Sequence, residues 1–392
     1  MLRNSLRQLM VMIVIVVLFS FSIPAHAFMD QFIDSQDGAL DMSKWLVERK
    51  GFLPIPLVVS DPAVGYGLGA GLAFFHKSEE DIKKAKQKKE DEMLSLPPSI
   101  SFAGGVYTEN ESWLLGAGHF GSWKKDRIRY LGAVGGADIN LKFYGLGEEN
   151  ALDQNPLEFK IDGLFLLQDV GFRVSDSRFF LGGRYTYLGA DIEIKGLEDP
   201  AGAPETPDVA SDSVKDSGFA VFARYDNRDN IFSPNNGHQL QLQVTRYDET
   251  FGGDFNYTYT KAATHSWWQI VDDLVLGLRL DGRFVSGDAP FWGLPFVQMR
   301  GIPSLRYQGE NVFVTEVEPR WDFTKRWSAV GFAGIGWTAA EIYELGDYDG
   351  EVAYGVGFRY LVARRMGLRA GLDVARGPED TVVYVSMGSA WR

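Results

Sequence analysis

The feature that most constrains this chain is an alternation of apolar and polar side chains with a period of two residues. Between residues 238 and 247, for example, Leu240, Leu242 and Val244 alternate with polar side chains. The same pattern recurs over residues 274–284, 316–323 and 366–374. A period of two is typical of β-strands whose two faces meet different surroundings, and it does not fit an amphipathic helix.

The N-terminus predicts export. Arg3 and Arg7 precede an apolar run from Leu9 to Ile23, which closes on Ala25-His26-Ala27. A positive start, an apolar centre and an A-x-A site are typical of a cleaved secretory signal peptide, with a single N-terminal anchor as the alternative. We therefore expect residues 1–27 to be a signal peptide. Residues 28–51 would then form a short N-terminal periplasmic segment containing a short amphipathic helix, and residues 52–391 would form a barrel.

The composition of the chain favours a membrane β-barrel over a soluble β-sandwich. Beyond Ile23 no run of about 18 apolar residues remains, which argues against helical spans. The chain has 44 Gly, 27 Phe, 16 Tyr and 10 Trp, which favours strands with one face on lipid and the other on a polar lumen. A soluble sandwich is the alternative, but it would leave sheet edges open. The formal net charge of −13 argues against nucleic acid as a partner.

The alternation predicts an all-β fold, a sixteen-stranded antiparallel transmembrane β-barrel in a bacterial outer membrane. The predicted strands are 52–59, 63–76, 98–108, 111–123, 126–144, 157–174, 178–195, 216–227, 238–250, 255–270, 272–286, 309–323, 326–338, 350–362, 366–376 and 380–391. An even number places both ends in the periplasm, with short turns there and long loops outside. The mixed-charge run 77–96 is then a periplasmic insertion, either a solvated helix or a disordered segment.

No residue pattern indicates a metal, a cofactor or a catalytic centre. The five histidines, at positions 26, 76, 119, 238 and 265, lack metal-ligand spacing. A serine–histidine pair of a lipid hydrolase, using His119 or His265, stays open as a minor alternative. We therefore predict a protein without enzymatic activity and without a cofactor.

The loop 287–308 is the most informative segment. It is apolar and aromatic and carries Arg300-Gly301-Ile302, so we expect it to fold back into the barrel. A guanidinium buried there needs carboxylate partners, because an unpaired buried charge is costly. Glu316, Glu318 and Asp373 are the candidates by strand face; the alternative is that Arg300 only caps a turn.

Three motifs in order resemble the BamA/TamA superfamily of outer-membrane barrels, also called the bacterial surface antigen family. Arg300-Gly301-Ile302, followed by Glu316-x-Glu318-x-Arg320, resembles its R-G-[FY] loop and next strand. With Asp373, these residues, Arg320 included, are the ones predicted to lock the loop to the lumen. The turn with Asp226, Arg228, Pro234 and Gly237 resembles its D-x-R…F-P-x-x-G turn. The end of the chain resembles its closing strand, whose terminal aromatic is an assembly signal; the matching residues are Tyr384, Gly388 and Trp391.

The resemblance covers about residues 52–391 and implies a barrel that assists protein or lipid insertion or translocation. It implies outer-membrane lipid as a partner, and unfolded outer-membrane proteins or a separate periplasmic protein as further partners. The alternative is a passive channel or a structural surface barrel. Three departures stand out: the segment Phe332–Gly336 lacks the family's aspartate, Ile302 replaces an aromatic, and residues 28–51 leave no room for periplasmic POTRA modules.

Overall fold

The computed structural model describes residues 32–48, 52–76, 99–145, 152, 156–195, 213–340, 342 and 350–391. The predicted signal peptide, the charged run 77–96 and most of the long loops 145–156, 196–215 and 339–350 lie outside the described residues.

The described chain forms one sheet of sixteen antiparallel strands, which confirms the predicted fold class. The strands are β1 Phe52–Asp61, β2 Gly65–His76, β3 Ser99–Thr108, β4 Trp113–Trp123, β5 Ile128–Phe143, β6 Leu157–Arg173, β7 Phe179–Lys195, β8 Ser213–Asp226, β9 Gly237–Tyr247, β10 Asn256–Val271, β11 Leu274–Asp288, β12 Asn311–Trp321, β13 Trp327–Ala339, β14 Glu351–Ala363, β15 Leu368–Arg376 and β16 Thr381–Met387.

The last predicted strand extends too far toward the end of the chain. The segment 380–391 was expected to be strand throughout, but β16 ends at Met387. Gly388 follows with φ +82°, a backbone conformation that turns the chain out of the sheet and that side-chain-bearing residues rarely adopt. The last residues therefore leave the barrel wall.

The alternation in the sequence corresponds to two faces of the wall. On β14, Val352, Tyr354 and Val356 are exposed on the outside, and Val356 is 65% exposed, whereas Ala353 and Arg359 face inward and are buried. An apolar exterior and a polar interior are the reverse of a soluble protein and match a barrel in lipid. Within the described residues no helix is long and apolar enough to cross a membrane.

Consecutive strands pair from β1 to β16 through fifteen ladders, but the described β1 and β16 share none although they lie side by side. The barrel is therefore closed in shape and open in hydrogen bonding at one junction. We call this junction the seam.

The N-terminal segment packs on the periplasmic turns of the barrel. It contains the helix α1, Ser43–Glu48, in the region where a short helix was expected. Trp45 and Leu46 pack against Ala363 and Met366, at the turn between β14 and β15. The apolar side of this segment is thus covered by the barrel.

A buried arginine holds the same segment electrostatically. Arg326, at the turn between β12 and β13, forms ion pairs with Asp34, Asp37 and Asp41. The Arg326 guanidinium donates to Asp37 at 2.6 Å, and this hydrogen bond holds the pKa of Asp37 below its ordinary value. Asp41 also accepts the backbone N–H of Ser43, at the start of α1, at 2.6 Å.

We expect Arg326→Gln to release residues 32–46 from the barrel while leaving the strands folded. Breaking a buried ion pair costs about 3–5 kcal/mol, so amide exchange of residues 41–46 should accelerate by about a hundredfold or more. Hydrogen exchange with mass spectrometry measures this, with the exposed neighbour Lys325→Gln as control. In the wild type, the pKa of Asp37 is lowered in the folded state, so Asp37 stabilises the docked segment above about pH 4 and this stabilisation is lost on further acidification. Unchanged exchange in Arg326→Gln would contradict the assignment.

Candidate functional site

The connection between β11 and β12, residues 289–310, folds into the barrel lumen. Its two arms approach each other as a hairpin: Phe296 bridges Gln308, and the Val297 N–H donates to the Tyr307 carbonyl at 2.9 Å. Val297 and Ile302 are buried against inward residues of β12 and β14. The apolar character of the loop is therefore explained by burial inside the barrel.

Arg300, near the tip of this loop, is surrounded by carboxylates. Its guanidinium lies 2.6 Å from Glu316, 2.6 Å from Glu318 and 3.0 Å from Asp373. The side chain is 11% exposed, so these pairs are largely desolvated. Arg359 also pairs with Asp373 and fixes its position. We call Arg300 and these three carboxylates the arginine cluster.

The arginine cluster also accounts for the departure at Phe332. The Arg300 guanidinium lies 3.5 Å from the centre of the Phe332 ring, a cation–π contact. The segment Phe332–Gly336 contributes no carboxylate, and the third acid comes instead from Asp373 on β15. The charge of Arg300 is thus balanced without the aspartate that the resemblance leads one to expect.

Gly301 lies against β16 and the turn that precedes it. Its N–H donates to the Tyr384 hydroxyl at 2.9 Å, and its φ of +93° suits glycine. A Cβ at this position would lie 2.9 Å from the Gly377 nitrogen. Tyr384, predicted as part of a C-terminal assembly signal, therefore faces the lumen and contacts the loop.

The loop is fastened to both edges of the seam. The Ser304 N–H donates to Asp61, the last residue of β1, at 3.2 Å, and the Ser304 hydroxyl donates to the same carboxylate. On the other side, Arg306 and the Tyr307 hydroxyl bond to Glu379 in the turn that precedes β16. Ser304 and Glu379 could not be predicted from the sequence, because these contacts depend on how the loop folds.

Arg320 does not belong to the arginine cluster, contrary to the prediction. It shares the inward face of β12 with Glu316, but four residues of strand span about 13 Å. Arg320 instead pairs with Asp322 at 3.0 Å and donates to the Pro234 carbonyl at 3.3 Å and to Asn235. Glu316 and Arg320 thus share a face of the strand but lie at different depths in the lumen.

The predicted turn motif lies at the periplasmic mouth. Asp226 pairs with Arg228 at 2.9 Å and with Arg129 at 3.2 Å. Gly237 has φ +112°, and a Cβ there would lie 2.7 Å from the Arg228 Cα, so the turn needs glycine. Pro234 is fully buried beneath Arg320.

The end of the chain enters the lumen rather than lying in the wall. The Gly388 N–H donates to the Arg369 carbonyl at 2.7 Å, and the Ser389 N–H donates to the Phe232 carbonyl in the 227–236 turn. Trp391 is 5% exposed and packs on Trp267. It also covers Gly277 of β11, where a Cβ would meet the Trp391 ring at 2.8 Å.

The histidines do not form a complete hydrolytic triad among the described residues. Ser101 lies 2.9 Å from His119 and 2.8 Å from His76 on the outer face of the wall. None of the described carboxylates is hydrogen-bonded to these two imidazoles, although such an acid orients the base in serine hydrolases. His265 lies in the lumen. The described residues also contain no group of His, Cys, Asp or Glu that could hold a metal ion.

Three solved structures show what this arrangement is similar to. The structure of BamA from Haemophilus ducreyi lacking POTRA domains 1–3 matches with a TM-score of 0.53 and 11% identity, over 94% of this chain and 82% of that chain. CdiB from Acinetobacter baumannii matches with a TM-score of 0.57 and 10% identity, over 86% of this chain and 60% of that chain. CdiB from Escherichia coli matches with a TM-score of 0.54 and 11% identity, over 86% and 62%.

The chain has the BamA-type barrel fold. No protein-family model matches its sequence, and no curated protein does. It spans about three fifths of the length of the two CdiB chains. The BamA-type fold and the apolar outer surface support the predicted location in a bacterial outer membrane.

We expect Arg300→Ala to detach the loop from the wall. The substitution leaves Glu316, Glu318 and Asp373 without their shared cation, at a cost of about 3–5 kcal/mol. Urea unfolding should show this loss, and trypsin should then cleave the loop after Arg306 in the folded protein. Arg376→Ala, an exposed arginine at the end of β15, is the control and should change neither. Wild-type stability and protease resistance in Arg300→Ala would show that the arginine cluster does not hold the loop.

Proposed function

We propose that this protein assists the insertion of other outer-membrane proteins by opening laterally at the seam. The observation that carries this proposal is the absence of a hydrogen-bonded ladder between β1 and β16, both of which lie entirely within the described residues. The motif resemblance and the BamA-type fold agree with it. Its partners would be outer-membrane lipid and unfolded outer-membrane proteins, with or without a separate periplasmic protein.

The direction of the backbone groups in β2 identifies the free edge of β1. The Tyr66 N–H donates to the Glu109 carboxylate, and the Tyr66 carbonyl accepts from the Glu109 N–H. Both backbone groups of Tyr66 therefore point toward the β3 side. Backbone groups in an antiparallel strand alternate between the two neighbours, so those of the next residue, Gly67, face β1. Gly67 lies opposite Val59, so the backbone N–H and carbonyl of Val59 bond to β2. The same holds for every second residue before it, namely Leu57, Ile55 and Leu53.

Pro54 and Pro56 lie between these residues, so their backbone groups face the seam and not β2. Proline has no N–H to donate, so it is tolerated only on such an edge. Two donors are thereby missing from the part of β1 nearest the periplasm. A stable ladder with β16 is disfavoured there by the sequence itself.

An unpaired strand edge in hydrocarbon favours the addition of another strand. Each unsatisfied backbone group costs several kcal/mol in lipid. A strand of an unfolded protein that enters the seam would satisfy these groups by strand addition. The loop contacts to Asp61 and Glu379 would hold the outer end of the seam until the strand arrives.

A wide passive channel is less consistent with the lumen. The loop 289–310 enters from the outer end, and Trp391 enters from the periplasmic end. Both occupy space that a diffusing solute would need. The channel alternative therefore requires both to move.

Reconstitution tests the proposal. Liposomes containing the protein should accelerate the folding of an unrelated outer-membrane barrel relative to empty liposomes. The chain has no cysteine, so disulfides can be introduced cleanly. We would pair Val58→Cys with Val383→Cys or Val385→Cys across the seam, and Val356→Cys with Val374→Cys on β14 and β15 as control, all on the outer face.

The seam disulfide should abolish the acceleration, and reduction should restore it. The control disulfide should have no effect, because β14 and β15 are already paired. Folding no faster than with empty liposomes, or full activity with a locked seam, would refute the proposal.

A further inference from the structure

A cavity of about 340 Å³ lies in the lumen between the loop 289–310 and the end of the chain. Part of its wall is built by β10 and β11, which contribute Lys261, His265, Arg279 and Arg283. The side chain of Trp391 also lines it. We call it the lumenal cavity; the lateral opening proposed above does not require it.

The two strands bring basic side chains directly opposite one another. Lys261 of β10 lies opposite Arg283 of β11, and His265 lies opposite Arg279. Lys261 and Arg283 carry like charges, which repel across a strand pair and are destabilising unless counter-charge is close. The stability of this pair therefore depends on the carboxylates nearby.

The carboxylates that line the lumenal cavity are already engaged. Asp281 lies 3.0 Å from both Arg279 and Arg283. Glu316 is shared between Arg279 and Arg300. Asp61 accepts hydrogen bonds from Ser304.

Among the described residues, no carboxylate oxygen lies within 4 Å of the Lys261 ammonium group. The charged groups around Lys261 include Asp281, which is already shared, and the two arginines of β11. The side chains that line the lumenal cavity include four cations, Lys261, Arg279, Arg283 and Arg300, and three carboxylates, Asp61, Asp281 and Glu316, so one positive charge is left over.

Two buried donors at the lumenal cavity also lack partners. His265 is 7% exposed, and neither of its ring nitrogens is hydrogen-bonded to a described residue. The Trp391 indole N–H, in a side chain that is 5% exposed, is likewise unbonded. A buried polar group without a partner is destabilising, so a ligand with several acceptor oxygens would be stabilised here.

We propose that the lumenal cavity is a binding site for a phosphate-class oxyanion. Phosphate has four oxygens, which can accept from a lysine, an imidazole and an indole at once, whereas a carboxylate has only two. The volume also admits a small phosphomonoester. The anion would come either as free phosphate or as part of a phosphomonoester.

Titration calorimetry on the folded full-length protein in detergent tests this, with inorganic phosphate as the probe and ionic strength held constant with chloride. We expect one saturable site per chain. Lys261→Gln should weaken binding by about tenfold or more, because it removes a charge-assisted contact. His265→Gln is a second, independent variant and should weaken binding severalfold.

Lys215→Gln is the matched control. Lys215 is exposed on β8, so the substitution makes the same change of net charge away from the lumenal cavity and should leave the affinity unchanged. Heat-modifiable migration on gels verifies that each variant is folded. Glycerol 3-phosphate, titrated in parallel, distinguishes the two sources of the anion: tighter binding than phosphate indicates a phosphomonoester, and weaker binding indicates free phosphate.

Three results would overturn the proposal. The first is no saturable heat with either probe, which would mean that only water fills the lumenal cavity. The second is equal affinity in Lys261→Gln and the wild type. The third is acetate binding as tightly as phosphate, which would make this a carboxylate site.

Discussion

Backbone hydrogen bonding in hydrocarbon is the constraint on which the rest of this structure depends. Lipid offers no partner to an N–H or a carbonyl, so each strand must pair with a neighbour on both sides. Fifteen ladders meet this requirement, and the seam between β1 and β16 does not. Pro54 and Pro56 make the exception a property of the sequence, because neither can donate to β16. The proposed insertion activity follows from this one exception, since an incoming strand would complete the ladder.

The segments outside the strands are held by buried arginines with several acids each. Arg300 holds the outer loop through three carboxylates of the wall, and Arg326 holds the N-terminal segment through three aspartates. Such pairs add little net stability compared with apolar packing, but breaking one is costly because a charge is left buried. They therefore specify where each segment lies. The excess positive charge around Lys261 is the opposite case, and it motivates the proposed anion site.

The strands could be predicted from the sequence because a period of two is a local property. The alternation of Leu240, Leu242 and Val244 placed these side chains on lipid, as the structure does. What depends on distant contacts could not be predicted. Arg320 shares a face with Glu316 yet lies too deep for the arginine cluster. Trp391 was expected in the closing strand, but it enters the lumen because Gly388 turns the chain there and Gly277 leaves space for the ring. The tie between Ser304 and Asp61 joins residues 243 positions apart, which no local pattern reports.

Residue-resolved amide hydrogen exchange along β1, measured by NMR in detergent micelles, shows whether the seam is open in hydrogen bonding. Within β1, the amides that bond to β2 serve as the control for those that face the seam. The amides of Leu57 and Val59 bond to β2 and should exchange slowly, whereas those of Val58 and Ser60 face the seam and should exchange faster by about a hundredfold or more. Equal protection of all four amides would show that β1 and β16 are paired and would contradict an open seam.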